Sequence, residues 1–259
     1  FKIAGSDQTH DSTPGSVQSI ENGYLPHINH TLNLSIIDAG AIEKRSFTVV
    51  VDAVNGAASS ALPAMVKALG CRVHHLYCNP DGEFPRGPEP LSHNLKQLGE
   101  AVVTHQADIG IATDPDGDRL AIVDEKGNPL GEEYTLTICA DGLLKSTSCP
   151  VSIVTNLSTT MALDKVAEKY GSRVIRSAVG EINVVNKMKE VEAVLGGEGN
   201  GGVILPESHY GRDSLVGTSM FLNRMAQDTR TVSKIFQSMP QFIMVKDKIA
   251  LGSVDPQTA

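Results

Sequence analysis

An apolar run, Asp108-Ile109-Gly110-Ile111-Ala112-Thr113, ends directly in Asp114-Pro115-Asp116-Gly117-Asp118-Arg119, and few folds accept that junction. The run fits a buried strand. Continued as a strand, the chain would array Asp114, Asp116 and Asp118 on one face, where they would repel one another. Pro115 and Gly117 break it instead into a tight loop that can turn the three carboxylates inward. Carboxylates gathered around one point call for a hard divalent cation, and Mg²⁺ suits oxygen ligands while leaving room for water or a phosphate oxygen. Arg119 adds a fixed fork of donors able to grip the same phosphate.

Other chemistries share part of this pattern. An EF-hand loop would offer Asp114, Asp116, Asp118 and Glu125, but it requires glycine where Arg119 stands. It also requires a helix where Leu120-Ala121-Ile122-Val123 reads as strand. A phosphatase of the haloacid dehalogenase type also carries Asp-x-Asp after a strand and uses the first, here Asp114, as nucleophile. A solvated acidic turn is the plainest alternative.

Around this loop the pattern is regular. Phe47 to Asp52 reads as a buried strand, and Asn55-Gly56 turns the chain. Leu62, Met65, Val66 and Leu69 then repeat at helical spacing, with Gly70 closing the helix. Arg72 to Tyr77 and Leu120 to Val123 are further strands, and Leu136, Cys139, Ala140 and Leu143 mark a helix. After Ser146-Thr147-Ser148-Cys149-Pro150 the grammar restarts. Val151 to Val154, Arg173 to Arg176, Ala193 to Leu195 and Val203 to Leu205 read as strands. Helices carry Leu163 to Tyr170, a stretch ending at Met188, Leu215 to Met225 and Val232 to Met239. This predicts two consecutive α/β domains with mixed, mostly parallel sheets flanked by helices, with no residue-by-residue repeat between them. Residues 5–18 read as loop, and Ile20 to Ala41 as partly helical without a domain's worth of core.

With 259 residues the chain can bury two cores. A net charge of −8 argues against nucleic acid or an anionic membrane as partner. The four cysteines, Cys71, Cys78, Cys139 and Cys149, show no metal-ligand spacing and read as reduced core residues. No apolar run reaches membrane-spanning length, and Phe1 to Gly5 is not a secretory signal, so a cytoplasmic location is expected.

Gly196-Gly197-Glu198-Gly199-Asn200-Gly201-Gly202 lets backbone approach a ligand closely, and Glu198 and Asn200 can hydrogen-bond neighbouring hydroxyls. Glu207 to Asp213 is a polar stretch in which Asp213 suits a helix N-cap. Phe84-Pro85-Arg86-Gly87-Pro88-Glu89-Pro90 reads as a stiff structural connection. His74 and His75 point to opposite faces of a strand, and His27 and His30 read as surface residues.

Together these segments resemble the α-D-phosphohexomutase family, which includes phosphoglucomutase, phosphomannomutase and phosphoglucosamine mutase. The matching pieces run in the family's order: Val49 to Ala57, Pro88-Glu89-Pro90, Ala107 to Arg119, Gly131-Glu132-Glu133, Val179-Gly180-Glu181 and Gly197 to Gly202. The overall pattern looks closest to the bacterial phosphoglucomutase/phosphomannomutase branch. In that family four domains surround a cleft, and a phosphoserine on the first exchanges its phosphoryl group with a hexose phosphate. The resemblance implies Mg²⁺ held by Asp114, Asp116 and Asp118, with Arg119 in support. It implies sugar hydroxyls on Glu198 and Asn200, flanked by Gly180 and Glu181, and glucose or mannose phosphate as substrate.

The family's serine motif, of the type Thr-Ala-Ser-His-Asn-Pro, is absent, as is the Arg-x-Ser-Gly-Thr motif of its last domain. The expected organisation is therefore a linker and domain tail over 1–42, a metal-binding domain over 43–147 and a sugar-binding domain over 148–259. Such a chain reads as the middle of a longer enzyme, inactive without the partner domains of the same polypeptide. A non-catalytic sugar- or metal-binding module is the alternative from another class.

Overall fold

A computed structural model describes residues 16–244; the sequence readings on 1–15 and 245–259 lie outside them. Each predicted strand forms. In the first unit β1 (Thr48–Asp52), β2 (Arg72–Leu76), β3 (Ile109–Thr113) and β4 (Leu120–Val123) make one sheet in the order β2-β1-β3-β4. β1 pairs in parallel with β2 and β3, while β4 returns antiparallel beside β3. In the second unit β5 (Ser152–Asn156), β6 (Arg173–Ser177), β7 (Leu195–Gly197) and β8 (Val203–Ile204) repeat the layout as β6-β5-β7-β8. There too only the last strand is antiparallel. The chain thus repeats a topology without repeating residues.

Helices α1 (Leu25–Leu32), α2 (Ala39–Arg45), α3 (Ala61–Ala68), α4 (Lys96–Thr104), α5 (Glu133–Ser146), α6 (Ala162–Lys169), α7 (Glu181–Glu190), α8 (Ser214–Ala226) and α9 (Val232–Gln237) flank the sheets. α4 was not legible as a helix: Gly99 and the β-branched Val102-Val103-Thr104 weaken its helical signal. Leu98 and Val102 nevertheless bury fully against β1 and β3. α1 and α2 are not a detached linker. Ile28, Leu34 and Ile42 enter the main core, packed beside α3 and α8.

That core is continuous between the units, running from Ile28 through Ile111 and Phe221 to Met239. α5 packs chiefly against α6 and α8 and touches both β4 and β7, so it lies between the two sheets, although the sequence pattern groups it with the first. Of the cysteines, Cys71 and Cys139 are buried and Cys149 is exposed; all four are free. Among the described residues, no helix is long and apolar enough to cross a membrane.

Candidate functional site

In both sheets the chain leaves the central strand toward one neighbour and later returns on its other side, so a crevice opens at the carboxyl ends of β1 and β3, and of β5 and β7. Each crevice carries one of the two loops singled out in the sequence. The aspartate loop joins β3 to β4, and the glycine loop joins β7 to β8. They are the same hairpin connection in the two copies of the topology.

The aspartate loop folds on Asp114. Its Oδ1 accepts the amides of Asp118 and Arg119, each at 3.1 Å, and Arg119 Nε faces its Oδ2 at 3.4 Å. Carboxylate oxygens of Asp114, Asp116 and Asp118 all lie within 4.8 Å of one another. Burial, together with the neighbouring Asp118 and Asp116 charges, pushes the Asp114 carboxyl up to about 6, against the pull of the Arg119 amide. Asp118 Oδ1 is buried with no hydrogen-bond partner. A dense set of hard oxygen donors, one of them orphaned, fits a small divalent cation. Within the loop, Asp114 Oδ1 is held by two amides while Oδ2 faces Arg119 without a hydrogen bond. The strand β4 after the loop departs from the helix of an EF-hand.

The floor of this loop comes from the segment after β1. Ala57 donates its amide to the Pro115 carbonyl at 2.8 Å, and a Cβ on Gly56 would lie 2.4 Å from that oxygen. Beneath it, the proline-rich segment plants Arg86 in the interior. Its Nε donates to Asp52 Oδ2 at 2.7 Å and Nη2 to the Thr113 carbonyl at 2.6 Å, one residue before Asp114. The stiff connection anticipated there is thus anchored by a buried ion pair.

The glycine loop is built from hydroxyls. Thr155 Oγ1 donates to the Gly197 carbonyl at 2.9 Å, and Thr159 Oγ1 accepts the Gly199 amide at 2.9 Å. Glu198 is buried, at 4% exposure. Asn156 Nδ2 reaches its Oε1 at 2.7 Å, the Gly180 amide its Oε1 at 3.4 Å, and Asn200 Nδ2 its Oε2 at 3.4 Å. Arg212 Nη1 donates to the same Oε2 at 3.0 Å, and Arg212 Nε faces Glu181 Oε2 at 3.4 Å. The structure therefore brings Glu198, Asn200, Gly180 and Glu181 together, and Arg212 joins them to Asp118. Asn156 and Arg212 went unrecognised as individual residues. Arg212 lies in the polar stretch before α8, whereas Asn156 has no motif around it.

The loops also touch through backbone. Arg119 and Gly202 form an antiparallel bridge, and the Leu120 amide donates to the Gly201 carbonyl at 3.0 Å. Gly201 has φ +92°, and a Cβ there would lie 2.5 Å from the Leu120 carbonyl oxygen. Gly201→Ala is expected to cost at least about 1–2 kcal/mol from backbone strain alone, read as a lower urea midpoint. Faster hydrogen exchange at the Leu120 amide should accompany it, and an unchanged Leu120 amide would show that the contact does not hold the loops together.

One other cluster of possible ligands occurs among the described residues, formed by His27, His209 and Asp213. Asp213 caps α8 as anticipated, accepting the amides of Leu215 at 2.7 Å and Val216 at 3.0 Å. Its Oδ2 faces Nε2 of His27 at 2.7 Å and of His209 at 2.9 Å. The Gly211 amide donates to His209 Nδ1, which leaves the His209 ring proton on Nε2, toward Asp213. His209 Nε2 donates to the Asp213 carboxylate, and His27 Nε2 faces the same oxygen as an ion-pair partner. His27 is thus half-buried and paired, not a free surface residue.

The hydrogen bond to Asp213, aided by its charge and opposed by burial, raises the His27 pKa above 6.5. Burial would raise Asp213, but hydrogen bonds from His209 and His27 more than offset it and hold it well below the usual carboxylate range. A raised histidine stabilises the fold fully below its unfolded value and loses that contribution as pH rises through the folded one. His27→Gln should therefore cost on the order of 0.5–1 kcal/mol near pH 6, discounted for partial exposure, and less near pH 8.5. Paired urea titrations would show it; a cost that grows with pH would contradict the assignment.

Comparison with known proteins places these features in context. Residues 22–127 match the family model described as phosphoglucomutase/phosphomannomutase, alpha/beta/alpha domain II, and residues 131–242 match domain III. A phosphoglucomutase/phosphomannomutase of Thermococcus kodakarensis is 37% identical over 82% of this chain and 46% of its own length. A probable phosphoglucosamine mutase of Methanopyrus kandleri is 31% identical over 83% of this chain and 47% of its own. A crystal structure of a phosphoglucomutase/phosphomannomutase family protein from Burkholderia thailandensis superposes with TM-score 0.75 at 26% identity, covering 85% of this chain and 47% of that one. The chain thus spans about half the length of the curated relatives it matches.

Proposed function

The chain belongs to the phosphoglucomutase/phosphomannomutase family, in the α-D-phosphohexomutase superfamily, and we propose that it forms the metal-holding and sugar-holding part of a magnesium-dependent phosphohexomutase. The whole enzyme would interconvert hexose 1-phosphate and hexose 6-phosphate, of glucose or mannose, through a phosphoserine in the cytoplasm. The observation that carries this reading is the convergence of the two hairpin loops. Three aspartates with an orphaned carboxylate oxygen stand beside a loop rich in hydroxyl-binding groups.

Asp114, Asp116 and Asp118 would hold Mg²⁺, which when bound supplies positive charge against a transferring phosphoryl group. Arg119 presents a second cation on the same side, placed by its contacts with Asp114 and with Glu89 at 3.2 Å. Glu198 and Asn200 would accept and donate hydrogen bonds to ring hydroxyls and so set the sugar's orientation. The Gly180 amide, already directed at Glu198, keeps that carboxylate in place.

No segment of the type Thr-Ala-Ser-His-Asn-Pro occurs in the sequence. With no such nucleophile, the chain by itself is expected to give no measurable turnover of glucose 1-phosphate, even with saturating Mg²⁺ and glucose 1,6-bisphosphate. Robust turnover by this polypeptide would overturn that reading. Mn²⁺ binding that is saturable in the wild type and lost in Asp116→Asn is the expected companion result. Asp116 is the exposed member of the trio, so the substitution tests ligation with little disturbance to packing.

A further inference from the structure

Arg212 stands directly before the Asp213 cap, outside both loops, yet its guanidinium reaches carboxylates from three separate segments. Nη2 holds Asp118 Oδ2 in the aspartate loop. Nη1 holds Glu198 Oε2 at 3.0 Å in the glycine loop, and Nε faces Glu181 Oε2 at 3.4 Å at the start of α7. Its own amide donates to Glu181 Oε1 at 3.0 Å, so backbone and side chain are tied to one partner. The side chain is 14% exposed, a largely desolvated setting in which charge-assisted hydrogen bonds are short and directional.

The effect on Asp118 is specific. With Oδ2 taken by Arg212, the carboxylate plane is fixed, and the other oxygen, Oδ1, is left buried without a donor. Such an oxygen is costly unless a cation meets it. Resting on the magnesium reading, we propose that Arg212 is a positioning residue that presents Asp118 Oδ1 to the metal and links the metal's occupancy to Glu198. A planar fork can hold two carboxylates in a fixed relation, so a shift of Asp118 on metal binding is passed to the glycine loop. A lysine keeps the charge but has no such plane. Hydrogen-bond partners of ligating carboxylates commonly contribute 10- to 100-fold in affinity.

The test uses the full chain as wild type, Arg212→Lys and Glu181→Gln. Mn²⁺ affinity is read by electron paramagnetic resonance of the free ion, and amide shifts of residues 197–202 are followed by NMR as Mg²⁺ is added. The expected result is Mn²⁺ binding about 10-fold weaker in Arg212→Lys, with the glycine-loop response to Mg²⁺ lost. Glu181→Gln, which loosens Arg212 without touching either loop, should fall between the two. Equal or tighter Mn²⁺ binding in Arg212→Lys overturns the positioning role and leaves the magnesium reading intact. An undiminished glycine-loop response in that variant overturns the linkage. Absence of saturable binding by the wild type overturns the magnesium reading and this inference with it. Should Arg212→Lys not fold, wild-type affinity and response in Glu181→Gln overturn the proposal, and their decline supports it.

Discussion

Arg86→Met is expected to lower stability by about 3–5 kcal/mol, the cost of stripping one partner from a buried ion pair. Arg86 and Asp52 are 4% and 1% exposed at their side chains, with Nε and Oδ2 2.7 Å apart. Without the guanidinium, Asp52 keeps only the Val54 amide, at 2.9 Å. Burial already raises the Asp52 carboxyl above its ordinary value, with Arg86 and the Val54 amide pulling it back. Removing that pull raises it further, so the folded variant takes up a proton the unfolded chain does not hold. A carboxyl raised on folding stabilises at low pH and loses that contribution as pH rises. The deficit should therefore shrink between about pH 7 and about pH 5, which urea titrations at the two values would show. The variant also frees the Thr113 carbonyl beside Asp114, so Mn²⁺ binding should weaken as well. A stability loss under about 1 kcal/mol would mean that water replaces the guanidinium, contrary to the desolvated geometry.

Arg224→Met should show a loss at the lower end of the same range, about 3 kcal/mol. Arg224 Nε meets Asp141 Oδ2 at 2.6 Å, with the side chains 3% and 1% exposed, where α8 crosses α5. Asp141 retains the Tyr170 hydroxyl at 2.9 Å and the exposed Lys169 at 3.8 Å, which softens the penalty. Methionine preserves most of the aliphatic stem, so the experiment isolates the charge from the packing. A thermal melt compared with that of Asp141→Asn would separate the two partners. If both variants melt with the wild type, the pair contributes nothing beyond its neighbours. α8 also carries the Asp213 cap and follows Arg212, so this pair steadies one wall of the site.

Much of this architecture could be read from the chain. Each strand run and each glycine or proline stop lay next to its apolar periodicity, and the aspartate loop announced itself through three like charges at a strand end. What escaped was set by tertiary contact. α4 carries β-branched residues and an internal glycine, and becomes a helix because Leu98 and Val102 bury against the sheet. Arg86 looked like one charge in a proline-rich connection; only the fold reveals Asp52 beneath it. Glu198 was legible as a polar residue among glycines, whereas Asn156, 42 residues away in sequence, has no local pattern that would pair it with Glu198. Arg212 is the sharpest case, since its three carboxylates come from elements that periodicity cannot place side by side.

The bridge between Arg119 and Gly202 has a consequence unrelated to chemistry. β4 and β8 are the terminal strands of their sheets, each ending a ladder whose outer backbone groups must find partners. The residues at the start of these two strands find them in each other, through the bridge and the Leu120 amide. An uncovered sheet edge is a template for adding a foreign strand, and natural folds guard against that route to aggregation. Here each unit occupies the start of the other's terminal strand, so the edge left open to such pairing is shorter in the pair than in either unit by itself.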